Sequence, residues 1–237
     1  MSLLTVSALR KQFGGVMALK DVDVVMEAGE TLGMIGPNGS GKTTFVNIVS
    51  GQLRADSGRM QLNGQDILNL QPHQLARLGV TRSYQAVRVF AGLTVQKNLD
   101  TAMLLLAERG LSQGDLRELI DWLRLDAALD KPAGSLTLFE QRRLELLMRL
   151  VQKPKLIMLD EPVGGLAVAE VREMIVLLQQ LKSRCSVFVI EHTMRVIREL
   201  ADRVVVLMAG EKIADGPPAE ILRNKRVIEH YLGAAHA

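Results

Sequence analysis

The run GPNGSGKT, residues 36–43, constrains this chain more than any other stretch. It follows the apolar segment TLGMI (31–35) and meets the spacing Gly-x4-Gly-Lys-Thr. Glycines at 36, 39 and 41 let a loop gather its backbone N–H groups around phosphate oxygens with no Cβ in the way. A helix beginning past Gly41 adds the positive end of its dipole. Lys42 can reach the β- and γ-phosphates of a nucleotide, and the Thr43 hydroxyl can ligate Mg²⁺. The bland alternative is a flexible glycine-rich turn. The strand before it and the helical pattern after it supply the context that the phosphate-loop reading requires, so a nucleoside triphosphate is the expected ligand.

The elements around the loop alternate. Short β-like runs open the chain: LLTVSAL (3–9), VDVVM (22–26) and TLGMI. GRMQLNG (58–64) reads as a strand ending in an Asn63-Gly64 turn, Pro72 opens a short helix through Leu78, and VTRSYQ (80–85) is strand-like. Between about 94 and 152 the period becomes helical, with Thr94 as a cap and an amphipathic LRELIDWLRL (116–125). A further helix starts near Phe139 and carries Leu144, Leu147 and Met148 at helical spacing. Strand–helix alternation resumes with KLIMLD (155–160), a helix over 169–181, SVFVIE (186–191), a helix over 194–200 and RVVVLM (203–208). This order predicts a three-layer α/β core interrupted by a helical lobe rather than two independent domains.

At 237 residues with 48% hydrophobic content, the chain can bury a substantial core. Its formal charge of +3 is dispersed except at Arg223, Lys225 and Arg226, and aromatics are only 3%, so platforms for stacking bases are scarce and no nucleic-acid partner is expected. Cys185 is the single cysteine, which leaves no disulfide and fits a reducing cytosol. Apolar runs such as AMLLLA (102–107) and VVVLMA (204–209) stop far short of the roughly 20 residues that span a bilayer. The opening MSLLTVSALRK lacks a signal-peptide pattern, so any membrane connection is expected to come through a partner.

Other strand ends carry candidate chemistry. In KLIMLDEP (155–162), Asp160 would bind Mg²⁺ through water and Glu161 would polarise the attacking water. Alone, such a pair is an ordinary polar strand end; beside the phosphate loop the functional reading dominates. His192, in VIEHTM, can contact a γ-phosphate or hold the water beside Glu161, or it serves as a turn and helix-entry residue. Gln85, in RSYQAVRVF, reads by itself as a surface amide where the helical insert begins.

Together these runs resemble the ATP-binding cassette of ABC transporters over nearly the whole chain. GPNGSGKT resembles Walker A, LIMLDEP resembles Walker B with its glutamate, Gln85 matches the glutamine-loop position and His192 the switch histidine. The resemblance implies a P-loop NTPase three-layer α/β core with a helical subdomain and an N-terminal antiparallel β part. It implies one domain over 1–237, with a core lobe at about 1–85 and 153–237 and a helical subdomain at about 86–152. ATP and Mg²⁺ are the implied cofactors, with ATP held by Gly36, Pro37, Asn38, Gly39, Ser40, Gly41, Lys42, Thr43 and Thr44. Glu161 and His192 take the catalytic roles, and Thr43, Gln85 and Asp160 lie at the metal. Phe13, in KQFGG, stands where the family stacks an aromatic ring on adenine, unless it is a core residue at a strand end.

QFGGVMALKDV, IGPNGSGKTTFVNIVSG, ARLGVTRSYQAVRVFAGLTVQKNL and the C-terminal VIEHYLG are similar to the branched-chain amino acid importer subgroup, including its urea and amide relatives. That similarity implies a peripheral ATPase subunit on the cytoplasmic face of the membrane. Its implied partners are transmembrane permease subunits, docking around Gln85–Val95, a second ATP-binding subunit, and indirectly a periplasmic or extracellular solute-binding protein. The alternative is a soluble non-transport ABC ATPase or a regulatory ATP-binding module with impaired turnover.

One stretch departs from the family pattern. Where cassettes usually carry Leu-Ser-Gly-Gly-Gln, at the start of a helix facing a partner's ATP, this chain has LTLFE (136–140). Thr137 keeps a hydroxyl and Glu140 is a family variation, but Phe139 replaces a glycine, and its ring is expected to obstruct the partner's γ-phosphate. Ala167 in place of the D-loop Asp or Asn, and Met148 in place of an Arg after the signature, depart at positions that serve communication across the dimer. The chain's own half-site is thus expected to be intact and the half-site it offers to be damaged, which favours a heterodimer.

Overall fold

The computed structural model describes residues 2–104 and 111–228, apart from the side chain of Arg226. In chain order, the hairpin β1 (Ser2–Phe13) and β2 (Val16–Glu27) leads to β3 (Thr31–Ile35) and α1 (Lys42–Val49). Then come β4 (Ser57–Leu62), β5 (Gln65–Asp66), α2 (Pro72–Leu78) and β6 (Val80–Arg82). Three helices follow, α3 (Val95–Leu104), α4 (Gln113–Trp122) and α5 (Leu138–Leu150), before β7 (Leu156–Asp160) and α6 (Val168–Leu181). The remainder is β8 (Ser186–Ile190), α7 (Met194–Leu200), β9 (Arg203–Met208), β10 (Glu211–Gly216), α8 (Pro218–Ile221) and α9 (Lys225–Val227).

The strands form two sheets. A four-stranded antiparallel sheet has the order β2-β1-β4-β5, and a six-stranded sheet has the order β10-β9-β3-β8-β7-β6, parallel except for the edge strand β10. The central strands are continuous apolar runs because both of their faces are covered. Alternate residues serve different cores: Met34, Met158, Phe188 and Val205 pack towards the antiparallel sheet and α1, where Phe45 stacks on Phe188 at 5.8 Å between ring centroids. Their neighbours Ile35, Ile157, Val187 and Val206 share a second core with Leu147 of α5, Leu178 of α6 and Ile197 of α7. This is the three-layer α/β arrangement expected, and it brings the C-terminal ends of β3, β7 and β8 to one edge.

Turn chemistry falls where the sequence places it. Asn63 and Gly64 take φ of 49° and 78° between β4 and β5, α2 runs from Pro72 to Leu78, and Thr94 Oγ1 accepts from the Lys97 amide at 3.2 Å. The strand expected over 80–85 ends at Arg82, because the Arg142 guanidinium donates to the carbonyls of Tyr84 and Gln85 at 3.2 and 2.9 Å and draws the chain off the sheet edge. β5, β10, α8 and α9 are additions to the expected elements. AMLLLA runs into residues outside those described, as does VIEHYLG beyond residue 228. Among the described residues, no helix is long and apolar enough to cross a membrane.

Candidate nucleotide site

β3 delivers the chain to Gly36, where a Cβ would lie 2.2 Å from the Leu207 carbonyl oxygen, so only glycine fits. The loop then opens outward. Asn38 and Gly39 are exposed, and the Cβ side of Gly39, at φ 77°, meets nothing within 4 Å. α1 begins at Lys42 behind Gly41, with no side-chain cap and no acidic residue in its first turn, so its leading amides are left for a ligand. The Lys42 ammonium lies across the loop, donating to the Gly36 and Pro37 carbonyls at 2.7 and 3.0 Å. Burial pushes its pKa down, while the charges of Glu161 and Asp160 push it back up. The buried Ser40 hydroxyl has no hydrogen-bond partner among the described residues, while the Ser40 carbonyl accepts from the Gly210 amide at 3.1 Å and ties the loop to the β9–β10 turn. Thr43 is exposed and Thr44 half-buried in the first helical turn. A loop with open space, free amides and a positioned ammonium fits a phosphate ester.

The second sequence candidate sits at the end of β7. Asp160 Oδ2 accepts from the Arg82 guanidinium at 2.8 Å, and both side chains are largely buried. At Glu161 the backbone turns into the left-handed region, φ 48°, while its amide donates to the Ile190 carbonyl at 3.0 Å. Two other sequence candidates converge on its carboxylate. Gln85 Nε2 donates to Oε2 at 2.8 Å, and His192 Nδ1 lies 3.5 Å from Oε1 with its side chain 62% exposed. Phe13, at the end of β1, is 49% exposed with Lys11 Nζ 5.4 Å from its ring centroid, which removes the core-residue alternative for it.

Sequence reasoning passed over three further residues. Arg142 is buried and bonds the carbonyls of Tyr84, Gln85 and Gly164, linking α5 to the backbone on both sides of Glu161. Arg82 anchors Asp160, and Glu191, beside His192, is a buried carboxyl whose pKa is raised chiefly by burial. The signal for the first lay in the basic pair of EQRRLEL, where charges fall between apolar positions of one helix.

At the start of α5 the structure corrects an expectation. Phe139 is only 6% exposed, packed in the core of this chain with the Arg143 guanidinium 3.8 Å from its ring centroid. The ring therefore does not stand out from the helix start as an obstruction. What stands there is Leu138, 40% exposed, and a capping box. The Thr137 amide donates to Glu140 Oε2 at 2.8 Å, and the Glu140 amide donates to Thr137 Oγ1 at 3.2 Å. Met148, which stands where the family commonly has an Arg, is buried as well. Ala167 caps α6, its amide donating to Glu170 Oε2 at 2.8 Å.

A family model described as ABC transporter matches residues 19–164, more than half of the chain. The chain belongs to the ABC transporter family. A second model, described as branched-chain amino acid ATP-binding cassette transporter, matches residues 211–237 of this cassette. The cassette is 35% identical to the high-affinity branched-chain amino acid transport ATP-binding protein BraF of Pseudomonas aeruginosa, over 98% of each chain. It is also 35% identical to LivG of Escherichia coli, a protein of the same description, over 98% of each. Among solved structures, the ADP conformation of an ATP-binding cassette of an ABC transporter superposes with a TM-score of 0.87 at 28% identity, covering 98% of this chain and 99% of that one. A nucleotide-free cassette superposes with a TM-score of 0.86 at 27% identity and the same coverage.

Proposed function

We propose that this cassette is the ATP-binding and ATP-hydrolysing subunit of an importer for branched-chain amino acids or similar small polar nutrients. The hydrolytic part of the reading is carried by the convergence of Gln85 and His192 on the Glu161 carboxylate, whose charge Lys42 of the phosphate loop also feels, and the importer part is supported by the likeness to branched-chain amino acid transport ATP-binding proteins. Lys42 and backbone N–H groups of the loop beyond Pro37 bind the phosphates, and Phe13 offers an exposed ring to adenine. Among the described residues no three His, Cys, Asp or Glu side chains form a metal cage. Thr43, Gln85 and, through water, Asp160 would hold Mg²⁺ beside the phosphates, and the ion would supply positive charge for the phosphoryl group being transferred. Glu161 orients and deprotonates the attacking water, and His192 steadies it.

The lobe at about 86–152 is read as the subdomain that answers to the membrane partner. Between it and the core lobe lies a cleft of about 400 Å³ lined by His73, Arg82, Tyr84, Arg88 and Arg149. Its basic lining suits an acidic cytoplasmic loop of a permease subunit. The loop beside it, with Phe90 exposed, is braced by buried Asn98, which exchanges hydrogen bonds with Phe90 at 2.8 and 3.1 Å. On this reading the cassette works peripherally at the cytoplasmic membrane face, with a solute-binding protein acting indirectly.

A second, different ATPase is the proposed dimer partner, now for a reason other than a steric block. The amide and dipole at the start of α5 are already engaged by Glu140, a negative charge where a partner's γ-phosphate would come. The test is ATP turnover of the purified protein, alone and with permease and candidate second ATPase. Glu161→Gln should keep ATP bound and lose hydrolysis. Full turnover in that variant would overturn the catalytic assignment, and copurification with ribosomes or DNA instead of a permease would overturn the importer.

A further inference from the structure

Asp160 is paired with a cation that does not belong to the phosphate loop. That cation is Arg82, the last residue of β6, which lies beside β7 in parallel register. The Arg82 side chain is 6% exposed and that of Asp160 14%. One guanidinium nitrogen, Nη2, donates to Asp160 Oδ2 at 2.8 Å; the other, Nη1, donates to Asn47 Oδ1 at 2.6 Å and to Ser50 Oγ at 3.1 Å. Asn47 belongs to α1, the helix that opens with Lys42, and Ser50 is its C-cap. The Tyr84 ring centroid lies 5.1 Å from the guanidinium carbon, on the side that opens to the basic cleft.

We propose that Arg82 is the resident counter-ion of Asp160 and sets how strongly a divalent cation is drawn to this carboxylate. This rests on the reading of Asp160 as the carboxylate beside the nucleotide's metal. The ion pair commits one oxygen of Asp160 to the guanidinium and leaves the other for a metal-bound water. It fixes the carboxylate's orientation relative to α1 through Asn47 and Ser50. It also keeps a buried positive charge 2.8 Å from the carboxylate that a dication would approach, and in a partly buried site the repulsion between the two would be screened far less than in water. Arg82 is thus a positioning residue that weakens metal attraction while holding the carboxylate in line.

The experiment uses the full chain and a fluorescent ATP analogue, measuring binding rather than turnover, in EDTA and across a Mg²⁺ series. Arg82→Gln removes the charge and should lower the half-saturating Mg²⁺ concentration about threefold to tenfold, while binding in EDTA changes less than about twofold. Arg82→Lys keeps the charge and should hold the midpoint within about twofold of the parent. In an Asp160→Asn background, Arg82→Gln should change the midpoint no further, because its effect passes through that carboxylate. Should Arg82→Gln fail to fold, Arg82→Met removes the same charge and carries the same expectation. An unchanged or raised midpoint in a folded neutral variant, while Asp160→Asn raises the midpoint, overturns this inference and leaves the site reading standing. An unchanged midpoint in Asp160→Asn itself overturns the site reading and this inference with it.

Discussion

α1 opens directly behind the phosphate loop and α5 opens in the stretch that departs from the family's signature, and their first turns are opposites. α1 starts behind a glycine, with no side-chain cap and no acid in its first turn. α5 starts at Thr137 with a reciprocal capping box, and its own Glu140 carboxylate sits on the leading amide at 2.8 Å. A helix dipole becomes an anion site only where the chain leaves its amides unsatisfied. In α1 they are left open, and Lys42 is laid across the loop to meet phosphate. In α5 two of them are taken up, the Thr137 amide by the Glu140 carboxylate and the Glu140 amide by the Thr137 hydroxyl, and the carboxylate's charge, of the same sign as the ligand, stabilises the helix and reduces its appeal to an incoming phosphate.

The largest expected effect tests the buried end of this contrast. Phe139→Ala should destabilise the fold by about 3 kcal/mol, read by denaturant titration, because it empties a core position rather than clearing an interface. A gain in turnover with unchanged stability would restore the ring to the role of a block. Next, Lys42→Ala should weaken ATP binding roughly 10- to 100-fold, the range of a lost charge-assisted hydrogen bond, measured by nucleotide titration.

The pH dependence comes third. Burial raises the Glu191 pKa, so the folded chain holds that proton more tightly than the unfolded one. Its contribution to stability is therefore full below the ordinary carboxylate pKa and is lost as pH rises through the raised folded value. Glu191→Gln should gain stability over the parent as pH rises through that window, followed by melting temperature; a parallel pair of curves would contradict it. Smallest is Glu140→Gln, which keeps the capping geometry and removes the charge. It should cost about 0.3–1 kcal/mol of stability, and in a complex with a second ATPase it should raise turnover of the partner's nucleotide by no more than about fivefold.

The elements that sequence reading found were those whose signals are local. Four apolar residues before Asp160, the Asn63-Gly64 pair, Pro72 and Thr94 each fix backbone within a few positions, and the phosphate loop carries its chemistry in its spacing. Phe139 was misjudged because α5 is buried nearly all round: Arg142, Arg143 and Glu145 are inside along with Leu144 and Leu147. The helical spacing of Leu144, Leu147 and Met148 marks one buried side, but with charged residues buried too it does not show which way position 139 looks. Arg82 and Arg142 were missed for another reason. Their partners are a carboxylate 78 positions away and backbone carbonyls 57, 58 and 22 positions away, contacts that only the assembled sheet creates.

The claim that this cassette takes ATP through α1 yet offers α5 poorly to a partner's phosphate is tested most directly by the mass of the purified Glu161→Gln chain in Mg²⁺ and ATP. With hydrolysis blocked, light scattering alongside bound-nucleotide analysis separates binding from pairing. The account predicts ATP bound to a species with the mass of a single chain. An ATP-dependent species of twice that mass would mean that the self-capped start of α5 accepts phosphate after all, and would contradict it.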